Sequence, residues 1–155
     1  MEMKELEKYE KGIPLASLES FDWETFVSFG QIFRAYKDAS QWALGDLATG
    51  IESKYGEQSL GKYAIAIGIA YKTLVGYRRV AQKYPRSRRM VYLSFSHHQR
   101  ALKASQPFVA LEYAHDNNLS IAQFDKYLAD EKAVGCQHQY EKYNICINCG
   151  NRIKI

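Results

Sequence analysis

The chain has 155 residues, 46% hydrophobic and 25% charged, with a formal net charge of +4. That composition fits a folded soluble domain with a small appendage, and excludes a disordered chain. It contains no apolar run near the ~20 residues that a membrane-spanning helix needs.

Residues 1–20 read as an acidic arm, with a helical turn or two over Met1–Tyr9 that Gly12-Ile13-Pro14 would end. The opening MEMKELEKYEKG is charged rather than apolar, so a cytoplasmic location is expected. From Phe21 to Lys37, Trp23, Phe26, Val27, Ile32, Phe33 and Tyr36 recur at helical spacing. Asp22 and Glu24 stand in the first turn, where negative charge suits the helix dipole. A second helix is expected from Ser40 to Lys54, with Trp42, Leu44, Leu47 and Ile51 as its stripe and Gly56 as its stop.

The stretch from Gln58 to Leu111 contains no Asp or Glu and ten Lys and Arg residues. Residues 1–57 hold eleven acids against six bases, and 112–155 hold six against five. A block so depleted of one sign repels itself unless a polyanion is its neighbour, which points to nucleic acid, or less often to an anionic membrane surface. Within it, a short helix over Ser59–Ile67, a glycine at Gly68 and a longer helix over Ala70–Lys83 have the layout of a helix-turn-helix. In that layout the start of the second helix faces the major groove. Tyr71, Lys72, Thr73, Val75 and Gly76 are then the groove-side candidates. Arg78, Arg79 and Lys83 are placed for phosphates. Tyr84 to Arg89 is a basic linker whose Arg86, Arg88 and Arg89 would track the duplex backbone.

Helices are next expected over Phe95–Lys103, Pro107–Asp116 and Ser120–Glu131, with Asn117-Asn118 as a turn and Ser120 as an N-cap. This is a second candidate helix-turn-helix. Its last helix offers Gln123 and Lys126 beside Asp125, a poorer match to DNA. Arg100, His97 and His98 join the DNA-contact candidates. No carboxylate stands near the two histidines in sequence until Glu112, which argues against a catalytic pair. His115 reads as a surface residue.

Three stretches carry a resemblance: Ser40-Gln41-Trp42-Ala43-Leu44-Gly45-Asp46, Ala70-Tyr71-Lys72-Thr73-Leu74 with Tyr77, and Leu93-Ser94-Phe95-Ser96-His97-His98. They resemble phage, plasmid and bacterial helix-turn-helix DNA-binding proteins that include LmbU-type regulators. Leu93 to Leu128, with Leu119–Ile121 as an entry, is also similar to the helix-turn-helix core of ParB-type partition proteins. The resemblance covers about Phe21 to Leu128. It implies an all-helical, sequence-specific DNA binder.

All three cysteines lie in the last twenty residues. Cys136-x-His138 and Cys146-x-x-Cys149, seven residues apart, match a closed tetrahedral Zn²⁺ site with four protein ligands. So short a segment cannot bury a core of its own, and structural zinc would supply its folding free energy.

The expected fold is an all-α multi-helix bundle with one or two helix-turn-helix units, plus a small C-terminal zinc ribbon or zinc knuckle. The divisions are an arm at 1–20, a helical DNA-binding domain at 21–134 and a zinc module at 135–155. The expected function is non-enzymatic binding of double-stranded DNA, as a transcriptional regulator or partition-type adaptor, with a homodimer as the form that reads two half-sites. The alternative is a module that grips a host protein through the zinc ribbon and basic surface. RNA binding is a third reading, but it lacks the sheet surface that RNA modules commonly use. No nucleophile, base and orienter converge in the sequence, so an enzyme is not expected.

Overall fold

The computed structural model describes residues 12–35 and 40–134. All of the described regular structure is helical. It divides into two compact units between Val91 and Tyr92, where a single helical domain over 21–134 was expected.

In the first unit, α1 spans Leu15–Glu19, inside the stretch expected to be a loose arm. Pro14 sits at its N-cap, and the buried Ile13 and Leu18 fasten the segment to the core. Helix α2 spans Trp23–Ala35. Asp22 precedes it rather than joining it, because its Oδ1 accepts the Thr25 backbone N–H at 2.8 Å.

Helix α3, Ser40–Tyr55, is the centre of this unit. Every residue from Trp42 to Ala48 is buried, so the helix is covered on all sides. Helix α4 spans Ser59–Ile67 and α5 spans Tyr71–Lys83. Both match the expected positions closely. Gly68 closes α4 with φ +69°, a left-handed conformation open to glycine at little cost. The Ile69 N–H then reaches back to the Ala64 carbonyl at 3.0 Å, closing the turn.

Leu60, Tyr63, Ala64, Ile67 and Leu74 join Phe26, Phe33, Leu44, Leu47 and Ile51 in one core. Burying each large apolar side chain is worth about 1.5–3 kcal/mol. Where α3 crosses α5, a Cβ on Gly45 would stand only 2.6 Å from the Tyr77 carbonyl oxygen. The glycine lets the two backbones approach. After α5, a 3-10 turn at Arg86–Arg88 completes the unit.

The second unit contains α6 (Phe95–Ala101), α7 (Pro107–Asp116) and α8 (Ile121–Val134). Leu93, Phe95, Ala101, Ala110, Leu111, Ala114, Phe124 and Leu128 are its buried apolar residues among those described. Helix α6 ends two residues earlier than expected. Between α7 and α8, Asn118 takes φ +48° and the Leu119 N–H returns to the Ala114 carbonyl at 2.9 Å. Ser120 and Gln123 form a reciprocal cap. The Ser120 N–H donates to Gln123 Oε1 at 2.8 Å, and the Gln123 N–H donates to Ser120 Oγ at 3.4 Å.

Candidate nucleic-acid interface

Helix α5 is held by its inner face. Leu74, Val80 and Ala81 are buried, and Val75 and Tyr77 pack against the core. The opposite face is cationic. Lys72, Gly76, Arg79 and Lys83 follow one another at spacings of four, three and four residues, which puts them along one side of the helix. Lys72, Arg79 and Lys83 are exposed and make no ion pair among the described residues. Thr73 is exposed beside Lys72, and Tyr71 opens the helix with half of its surface in solvent. These are the candidates that lie together on an accessible surface.

The other arginines of the first unit differ. Arg78 turns from the exposed face to Glu52 of α3, with which it forms a partly buried ion pair. Gln82 Nε2 reaches the same carboxylate at 3.4 Å. Arg89 is 7% exposed, so it does not belong to a backbone-tracking surface. Its two terminal nitrogens donate to Asp46, Nη1 to Oδ2 at 2.8 Å and Nη2 to Oδ1 at 2.6 Å. Its Nε donates to the Tyr84 carbonyl at 2.9 Å, and the guanidinium lies 4.3 Å over the Trp42 ring. Arg89 is a structural residue because every donor edge it has is directed inward.

Asp46 also accepts the Ile13 backbone N–H at 2.8 Å. Burial pushes its carboxyl above the usual range, and the Arg89 guanidinium and the Ile13 N–H pull against that rise. Gly12, at φ +86°, lies so close that any side chain there would strike both Asp46 and Arg89. Arg86 is exposed but donates Nε to the Gly12 carbonyl at 3.1 Å. Arg88 is exposed on the same 3-10 turn.

In the second unit, both histidines expected at the DNA surface lie inside the fold. His98 is fully buried and His97 is 9% exposed, so neither presents its ring to a phosphate. His97 Nε2 donates to the Leu119 carbonyl at 3.0 Å, and its Nδ1 accepts from the Ser94 hydroxyl at 2.9 Å. His98 Nδ1 donates to the Ser94 carbonyl at 3.0 Å. The pair ties the entry of α6 to the turn before α8. Arg100 is half exposed and pairs with Asp125 of α8 at 2.8 Å.

Acidic residues from outside the acid-free block therefore neutralise part of it. Asp46, Glu52 and Asp125 each meet one of its arginines. The block does not depend on a polyanion at every position, and α5 carries three of its exposed cations, Lys72, Arg79 and Lys83.

No protein-family model, no characterised protein and no solved structure matches the chain. The zinc-ligand candidates Cys136, His138, Cys146 and Cys149 lie outside the described residues. Among those described, no three His, Cys, Asp or Glu side chains converge as a metal site. No described helix is long and apolar enough to cross a membrane.

Sequence reasoning missed Asp46 and Glu52 as partners of the basic block. One signal was present for Asp46: it is a lone carboxylate inside an apolar helix stripe, and such a group needs a buried counter-charge. Ser94, which holds both histidines, left no comparable mark.

Proposed function

We propose that the chain binds double-stranded DNA, with α4, the Gly68 turn and α5 acting as a helix-turn-helix and α5 as the recognition helix. The observation that carries this reading is the outer face of α5. It holds three exposed cations, Lys72, Arg79 and Lys83, without an acidic partner among the described residues, opposite an inner face packed on the core. Lys72 and Thr73 occupy the first turn, where a recognition helix meets base edges; lysine suits guanine and threonine suits a base or a phosphate. Arg79 and Lys83 lie further along and supply phosphate contacts, joined by the exposed Arg86 and Arg88 of the linker. Transcriptional regulation or a partition-type adaptor role follows from such a module. The test is a fluorescence titration of the full chain with duplex DNA at low salt. Saturable binding that weakens steeply with salt is expected; its absence would end the reading.

A structural Zn²⁺ held by Cys136, His138, Cys146 and Cys149 forms part of the same proposal and rests on their spacing alone.

A protein partner is the second reading. It is favoured by the second unit, where Tyr113 is 44% exposed and stacks on Tyr127 with ring centroids 4.3 Å apart. Val109, one turn before Tyr113, is exposed as well. A pull-down from nuclease-treated lysate separates the two, because partners bridged by DNA vanish with the nuclease.

A further inference from the structure

Gly76 stands in the middle of the cationic face of α5, between Lys72 on one side and Arg79 and Lys83 on the other. Nothing in the fold requires a glycine there. Its backbone is not in the left-handed region, unlike Gly12, Gly56 and Gly68. A Cβ built on it meets no atom of the described residues within 4 Å. Every other residue except proline is a better helix former at an interior position, because glycine gives up the most backbone freedom. The position thus carries a folding cost with no packing gain, unlike Gly45, where the Tyr77 carbonyl blocks any side chain.

We infer that Gly76 is the point of closest approach between α5 and the DNA, where the backbone of the helix meets the sugar-phosphate wall or floor of the groove. The inference rests on the DNA reading and sharpens it. A side chain at 76 would hold the helix off the duplex by about the radius of a methyl group. The three cations around it would then lose reach together. Their placement fits this role: Lys72 lies one turn before the gap, Arg79 and Lys83 one and two turns after it. Two phosphate-directed groups and one groove-directed group flank a bare strip of backbone. Glu52, the carboxylate of α3 that reaches this helix, is taken by Arg78.

The test uses the full chain and its Gly76→Ala variant. Binding to a short random-sequence duplex is followed by fluorescence anisotropy, and stability by thermal melting. The two readouts are expected to move in opposite directions. Alanine raises the melting temperature by a few degrees, since it restores helix propensity in open space. It weakens duplex binding about tenfold or more, the scale of one lost groove contact. Equal or tighter binding by Gly76→Ala, with the native chain binding normally, overturns the role of Gly76 and leaves the DNA reading standing. A lower melting temperature overturns it too, because the glycine would then serve the fold. If the native chain does not bind duplex at low salt, the DNA reading fails and the inference fails with it.

Discussion

Arg89 grips Asp46 with both terminal nitrogens in the interior of the first unit, at 2.8 and 2.6 Å, across forty-three residues of sequence. The pair joins α3 to the segment after α5, and the Ile13 N–H brings a third segment onto the same carboxylate. Removing one partner leaves a buried charge alone, which costs about 3–5 kcal/mol. Asp46→Ala is expected to lower stability on that scale in denaturant titration. Replacing both at once, Asp46→Leu with Arg89→Met, is expected to recover most of the loss, because neither charge then needs compensation. A double variant as unstable as the single one would contradict this.

Tyr63 and Tyr84 link the fold to alkaline pH. Both are fully buried, and the Tyr63 hydroxyl donates to the Phe26 carbonyl at 2.9 Å. Burial pushes the Tyr84 phenol up to about 12 and the Tyr63 phenol higher still. An unfolded chain releases these protons near pH 10 while the folded chain keeps them, so stability is unaffected below that and falls as pH rises through about 12. Phenolate absorbance and far-ultraviolet circular dichroism should show two of the twelve tyrosines ionising only as helix is lost. Full ionisation with the helices intact would contradict the assignment.

His97 bridges Ser94 and the Leu119 carbonyl within the second unit. His97→Phe keeps the ring but leaves that carbonyl without its donor, at a cost of about 1–3 kcal/mol if it stays dry. Melting is expected to fall accordingly. Under the DNA proposal, duplex affinity is expected to be unchanged, because a buried histidine contacts no phosphate. A loss of DNA affinity at unchanged stability would restore His97 to the interface.

Zinc is checked by elemental analysis of protein purified without a metal-binding tag. About one metal per chain is expected from a four-ligand site, and Cys146→Ser with Cys149→Ser should lose it. A content well below one removes the zinc module.

Much of the helical layout can be read from residue types alone. The glycine at 68 and the apolar spacing on either side mark both ends of α4 and the start of α5, because turn and core impose local, periodic demands. Asn117-Asn118 and Ser120 mark the second turn equally well, through a left-handed residue and a cap. The fates of Arg78, Arg89, His97 and His98 are not local. Arg78, Arg89 and His97 each meet a partner more than twenty residues away, His98 is buried by the packing of its unit, and nothing in the spacing shows whether such a side chain will turn inward. Helix α1 was hidden for a related reason. Five residues make no periodic pattern, and the segment is held by Ile13 and Leu18 entering a core built elsewhere. On α5 the periodicity sufficed, since one helix displays its inner and outer faces in a single short stretch.

The most direct test of the central proposal is the salt dependence of duplex binding by the native chain and by Arg79→Ser with Lys83→Ser. The native chain is expected to bind, with a steep negative slope of log affinity against log salt. The double variant should bind all sequences more weakly, with the slope reduced by about two, roughly one per lost phosphate contact. No binding at low salt, or binding with the same slope in both proteins, would contradict the assignment of α5 as the DNA-contacting helix.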